Sequence, residues 1–461
     1  MTLANAIIEG DLLLVEQYLN MGAQIDEFDE YGFTPLIESA ITNNVDMARY
    51  LLGRSADVNK KDTVGGTPLH WAVENNNLDM VKLFLDAGAD PNAHNLSAEP
   101  ILIRPILREQ KELKKLLIDA GAKTRFANDY IQIKLLAHRY DLTGEIDIAN
   151  SRGEFAELSL EGFFLESSVH ILRQSLQGFL ANFAAQEHKQ YFDIYRQILR
   201  AMHAAAELIK YQQYQVSVRD HQKEIDALLS SPLLILPVNY DGHAIAFIRL
   251  GDMLVRCDRR LEEGSVNGIA FFKMGNPGAL NKQLMRFMIF EKKDKDFLDK
   301  QLGEQLKLQL VGRMMIEPQV TGNCSWTSIA ACVPATFFLL TDEIAEYPHG
   351  LVDHNHVAIE QYHAWRDWDK TNALNYCIHN FKTATGARKH SFGAVLAAVF
   401  FQRFDHRQGN KLTLARQLYR LLQTPGQEYH LKNYLEHYFY RNKTPAGKNL
   451  KKLIEACEQY Y

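Results

Sequence analysis

Cys324 lies in the run Gln319-Val-Thr-Gly-Asn-Cys-Ser-Trp-Thr-Ser-Ile-Ala-Ala331, where polar and turn-forming residues give way to a helical pattern. A cysteine attacks as the thiolate, and a helix N-terminus with a neighbouring imidazole brings the thiol pKa into the working range. The run predicts that address for Cys324. Gln319, five residues upstream, has a side-chain amide that can donate to an oxyanion. The base must sit on another rigid element and be oriented by a third group. His243 opens the run His-Ala-Ile-Ala-Phe-Ile248 after the turn signal Asp241-Gly242, and Asp258 closes the next apolar run, which begins at Met253. If the two runs pair as an antiparallel hairpin, their outer ends lie side by side, and Asp258 can accept the imidazole N–H.

The same residues have an ordinary structural reading. Free cysteines are among the most buried residues, and Asp258 could simply pair Arg259 or Arg260. Cys257, facing opposite to Asp258 in a strand, reads as core. A second cluster, His349, Asp353, His354, His356 and His363, offers metal-type side chains. Its spacing fits no zinc pattern and holds no HExxH, so neither a metal nor any other cofactor is expected. A base supplied by His349 or His354 would have the chain order of papain, but no strand is predicted to carry it.

The elements that must position these residues start with a repeat. A 33-residue offset aligns Gly22-Ala23, Ser55-Ala56, Gly88-Ala89 and Gly121-Ala122, and also Thr34-Pro35-Leu36 with Thr67-Pro68-Leu69. With Thr67-Pro-Leu-His-Trp-Ala72 followed by Asp79 to Asp90, this resembles the ankyrin family over residues 1–127, in four units. Thr67 caps a helix that Pro68 opens, Ala72 permits close packing, and Gly88 ends the second helix. His70 is expected to bond neighbouring backbone. Pro105 predicts a short first helix in the fourth unit. The resemblance implies protein binding through the hairpin tips, where Tyr31, Lys61, His94, Asn95 and Leu96 are the candidate contacts; a solvated loop is the alternative at each.

Beyond the repeats, residues 128–230 read as helical. Residues 231–340 form an α+β core, with strands at 233–236, 243–248, 253–258, 269–272, 288–290 and 308–311 and a helix near 297–306. Residues 341–461 read as helical and aromatic-rich, with breaks near Pro425-Gly426 and Pro445 to Gly447.

A length of 461 residues exceeds the ~250 to 300 that one core usually serves, so several domains are expected. With 46% hydrophobic and 23% charged residues, and no apolar run read as crossing a bilayer, the expectation is a soluble globular protein. A net charge of −5 points away from nucleic acid and anionic membrane as partners. Five scattered cysteines suit a reducing compartment. Glu9 and Asp11 interrupt any Sec-type signal core, which leaves other secretion routes open. The basic residues from Arg441 to Lys452 read as a solvated helix end, with nuclear import as the alternative.

The order His243, Asp258, Gln319, Cys324 on strand, strand, loop and helix resembles the clan of cysteine enzymes that contains SUMO-specific and adenovirus-type proteases and YopJ-type acetyltransferases. The match spans about residues 232–340, and Ala244 stands where that clan often has Trp. It implies His243 as base, Asp258 as orienting acid, Gln319 as oxyanion donor and Cys324 as nucleophile. The whole arrangement also resembles Legionella ankyrin-repeat effectors. That implies type IV translocation into a host cell, to the cytosol or nucleus, where the repeats hold a host protein. The cysteine-protease-like domain then acts as a protease, deconjugase or acyltransferase, or serves as an inactive scaffold.

Overall fold

A computed structural model describes residues 2–212, 216–259, 268–317, 322–342, 350–353 and 356–459. The chain packs as two compact units, neither of them continuous in sequence: Met1–Lys134 with Gly144–Ser159 and Tyr376–Tyr461, and Leu135–Thr143 with Leu160–Asn375.

The first unit begins with four helix pairs: α1 (Leu3–Glu9) and α2 (Leu12–Asn20), α3 (Pro35–Ile41) and α4 (Val45–Gly53), α5 (Pro68–Glu74) and α6 (Leu78–Asp86), α7 (Ile103–Leu107) and α8 (Lys111–Asp119). Thr34 and Thr67 cap α3 and α5 with Pro at the first helical position, as expected. His70 Nδ1 accepts from the Thr67 N–H at 3.0 Å, and burial lowers its pKa to about 3, so the ring is a neutral structural cap. α7 has only five residues, with Pro105 buried inside it.

Helix α9 (Thr124–Arg139) follows, and then a hairpin, β1 (Glu145–Ala149) with β2 (Phe155–Ser159), interrupts the region expected to be helical. Its cause is a period-two pattern, with Ile146 and Ile148 buried between exposed Glu145 and Asp147, closed by the turn Asn150 to Gly153. The C-terminal helices of this unit are α17 (Gly386–Arg403), α18 (Leu412–Leu422), α19 (Tyr429–Tyr434) and α20 (Pro445–Glu458). α17 packs on β1, where the Ala149 N–H donates to Ser391 Oγ at 2.7 Å.

The second unit is built on a six-stranded sheet. β3 (Leu233–Tyr240), β4 (His243–Leu250), β5 (Met253–Asp258), β6 (Gly268–Met274) and β7 (Leu308–Met314) run antiparallel in chain order, and short β8 (Leu351–Val352) joins parallel to β7. α10 (Leu165–Ala181), α11 (Phe192–Ile209), α12 (Gln222–Leu228), α13 (Lys282–Phe290) and α14 (Leu302–Leu306) surround it. Residues 288–290, expected as a strand, form the last turn of α13. Asn281 caps that helix by accepting from the Leu284 N–H, and Met285, Met288 and Ile289 recur at helical spacing on its buried side. They join Leu236, Ile245, Phe247 and Leu254 in one core.

α15 (Cys324–Thr341) packs on β4 and β5. It corrects the reading that no segment could cross a bilayer, since by length and composition this helix is apolar enough to do so. It is apolar on nearly every side because the fold buries it on nearly every side, with Trp326, Phe337 and Phe338 inaccessible to solvent. The long helix α16 (Val357–Thr383) follows.

Candidate active site

His243 is placed by its turn. Tyr240 pairs with His243 across Asp241-Gly242, and both turn residues have positive φ, 43° and 75°, the geometry that joins tightly twisted strands. The next turn, Gly251-Asp252, brings β5 back, so that Asp258 ends beside the start of β4. His243 Nε2 lies 3.3 Å from Asp258 Oδ1. That leaves Nδ1 as the other ring nitrogen, and the imidazole and the Cys324 thiol stand close enough for each to shift the other's pKa.

Cys324 opens α15 behind Asn323 and Gly322. Gly322 has φ +79°, and a Cβ there would meet the Glu161 side chain at 2.8 Å, so the turn requires glycine. Asn323 is tied down through Nδ2, which donates to Asp141 Oδ1 at 2.9 Å and to the His138 carbonyl at 3.3 Å. Trp326, two residues on, is wedged between His138 and Phe163 under the Arg139 guanidinium, which bonds Asp369 at 2.6 Å. The sulfur is thereby held at a fixed point, where it accepts from the Ala244 N–H at 3.4 Å.

Burial raises the Cys324 thiol pKa, but the neighbouring His243 imidazole, the Ala244 N–H and the Ser325 N–H outweigh it, and the thiol is held below its ordinary value. Burial likewise opposes a charged His243, yet Asp258 and Cys324 more than compensate, and its pKa is raised. Both shifts favour the same state, thiolate beside imidazolium. The site is reachable by solvent: Cys324 is half-buried, and the His243 and Asp258 side chains are 14% and 11% exposed.

One residue of this arrangement was not foreseen. Arg256 Nη2 donates to Asp258 Oδ2 at 3.0 Å while Nη1 bonds Asp299 at 2.6 Å, which fixes the carboxylate that orients the imidazole. Alternation in β5 places residues 256 and 258 on one face, a signal that was available in the sequence. Gln319 lies outside the described residues, as do His349 and His354. Cys257 is wholly buried, and burial raises its thiol pKa well above the ordinary value. His356 pairs with Asp342 at 3.4 Å, whereas His363 lies against Tyr362. All five cysteines are free.

The hairpin-tip candidates divide. Tyr31 and Leu96 are 66% and 69% exposed. Lys61 Nζ donates to the His94 carbonyl, and the His94 ring packs on Phe126 and reaches Asn150. Asn95 Oδ1 accepts from the Ser97 and Glu99 N–H groups, doing for this tip what Asp29 and Asp62 do for the earlier two.

An ankyrin-repeat family model, in three copies, matches residues 3–95. Ankyrin repeat, SAM and basic leucine zipper domain-containing protein 1 is 43% identical over 53 residues in both Rhinolophus ferrumequinum and Equus caballus, 12% of this chain. The chain thus spans only 11% of the length of those relatives. A solved structure described as that of the Legionella effector AnkH is 38% identical, with a TM-score of 0.79, covering 99% of this chain and 97% of that one.

Proposed function

The chain belongs to the family of the Legionella effector AnkH, and from that premise we propose that it is a translocated effector whose repeats hold a host-cell protein while Cys324 cleaves an acyl bond, as a protease or deconjugase does. The observation that carries this reading is the placement of His243, whose Nε2 lies 3.3 Å from Asp258 Oδ1 while the N–H of the next residue, Ala244, lies 3.4 Å from Cys324 Sγ. A buried structural cysteine would have its pKa raised, as Cys257 does; Cys324 has its pKa lowered by the groups built around it.

In this reading the Cys324 thiolate attacks the substrate carbonyl, and the negative oxygen that forms faces the start of α15, whose first N–H groups have no partner within the helix. Imidazolium His243 protonates the leaving amine as the C–N bond breaks. A water then attacks the thioester, giving its proton to His243 and releasing the thiolate and the acid product. Asp258, fixed by Arg256, holds the ring in one orientation throughout.

The test is labelling of the full chain by chloroacetamide, with each cysteine read separately by peptide mass spectrometry. Cys324 should label at least ten-fold faster than the buried cysteines, and His243→Ala should abolish the difference. Labelling of Cys324 that is unaffected by His243→Ala would show the thiol to be merely exposed and leave the protein a binding scaffold.

A further inference from the structure

In the first unit, the exposed face of the β1–β2 hairpin and helices α17 and α19 enclose a cavity of about 380 Å³. Its walls are aromatic: Phe155 from β2, Tyr429 and Tyr434 from α19, and Tyr438 just beyond. The rings form two connected groups, Phe155 against His390 and His390 against Tyr429, and Tyr434 stacked with Tyr438 at 6.1 Å. Two carboxylates line it too, Glu145 and Asp147, both exposed on the same face of β1, and among the described residues no lysine or arginine lines the cavity. Of the histidines that line it, His430 is held neutral by burial, with a pKa of about 4, and His390 Nδ1 lies 3.1 Å from Gln427 Nε2.

Aromatic faces with carboxylates beside them attract a cation that is weakly hydrated and bulky enough to touch several rings. An inorganic ion is not matched by a ligand set, since among the described residues no group of three or more His, Cys, Asp or Glu could hold one. An alkylated ammonium group meets both conditions, since its methyl groups pack on the rings while its charge faces Glu145 and Asp147. The zwitterionic head of a phosphocholine lipid fits less well, because its phosphate would approach the same carboxylates. We propose that this cavity receives the methylated ammonium head of a lysine side chain on a partner protein. The cavity shares no residue with the Cys324 site, so the proposal stands independently of any thiol chemistry.

The experiment is calorimetric titration of the full chain with N-acetyl-trimethyllysine methylamide. Two comparators accompany it: the compound's uncharged analogue, in which carbon replaces the quaternary nitrogen, and the unmethylated lysine compound. Phosphocholine vesicles form the third arm. Saturable binding of the trimethyl compound, at least five-fold tighter than either comparator, is expected. Asp147→Asn and Tyr429→Leu, both at exposed positions, should each weaken it by about five- to thirty-fold while Cys324→Ala leaves it unchanged. Equal binding of the uncharged analogue, no effect of Asp147→Asn with the thermal melt unchanged, or preferential binding of the vesicles would each overturn the proposal.

Discussion

Arg256 Nη2 lies 3.0 Å from Asp258 Oδ2, the carboxylate oxygen that does not face His243. Asp258 is therefore held from both sides, and Arg256 is itself anchored by Asp299 at 2.6 Å. The imidazole is oriented by a rigid pair rather than by one mobile side chain, and each prediction about the thiol depends on that.

Replacing Arg256 with Met should remove this cation from the largely buried Asp258 and from the exposed Asp299. A loss of about 1 to 3 kcal/mol is expected, less than for a fully buried pair because Asp299 is partly exposed. Urea denaturation measures it, and Asp299→Asn alone should cost less, since Asp258 then keeps both partners. If Arg256→Met unfolds at the same urea concentration as the parent, the clamp has no structural weight.

The reactive state requires a deprotonated Cys324 and a protonated His243. With the thiol pKa lowered, labelling should rise with pH along a limb below the ordinary thiol value of ~8.5. With the His243 pKa raised, the imidazolium persists above the ordinary imidazole value before it is lost at higher pH. The window between belongs to the pair and not to either residue. His243→Ala should move the thiol limb upward and slow labelling at pH 6.5 by about ten-fold for each unit moved. Asp258→Asn should move it by a smaller amount in the same direction. A limb that stays in place in both variants would separate Cys324 from His243 chemically.

Gly322→Ala should cost about 1 to 2 kcal/mol, because the backbone there is left-handed and the new methyl would press on Glu161 Cβ, which cannot swing aside as a side-chain tip can. Gly251→Ala is the control, with a similar φ of 59° and nothing within 4 Å of the added carbon. Only Gly322→Ala should also slow Cys324 labelling, as its turn sets the helix start. Equal effects of the two on labelling would show that this turn does not place the sulfur.

The parts legible in the sequence were those where local chemistry and tertiary structure demand the same thing. Thr67-Pro68 caps a helix wherever it occurs, and Asp241-Gly242 closes a hairpin that leaves His243 only one place to stand. The misreadings came where short apolar runs are ambiguous. Met288-Ile-Phe290 suits strand or helix, and the cap at Asn281 with Met285 one turn earlier decides for helix. Glu145 to Ser159 alternates visibly, yet an isolated two-stranded hairpin is marginal by itself and depends on α17, far along the chain. Charged pairs such as Arg139 with Asp369 link residues 230 apart, and no local pattern reports them.

The third repeat hairpin separates a contact role from a structural one. Leu96 is 69% exposed, and its backbone N–H ties the tip to the previous hairpin by donating to the Val64 carbonyl at 2.9 Å. Truncating its side chain removes little packing, so Leu96→Ala should change stability by less than about 0.5 kcal/mol. His94 is different: its ring lies edge-on to Phe126 at 6.0 Å, and Nε2 reaches Asn150 at 3.4 Å, so His94→Ala should lower the melting temperature by itself. The informative variant is therefore Leu96→Ala alone. If the repeats grip a host protein at this tip, a contact of about 1 to 2 kcal/mol is lost, or about five- to thirty-fold in affinity, with an unchanged melt. The measurement is quantitative recovery, from host-cell lysate, of whichever proteins the parent chain enriches, with Tyr31→Ala in parallel as the first-hairpin comparison. Equal recovery by parent and Leu96→Ala would remove this hairpin from the binding surface, and a loss confined to Tyr31→Ala would move that surface to the first repeat.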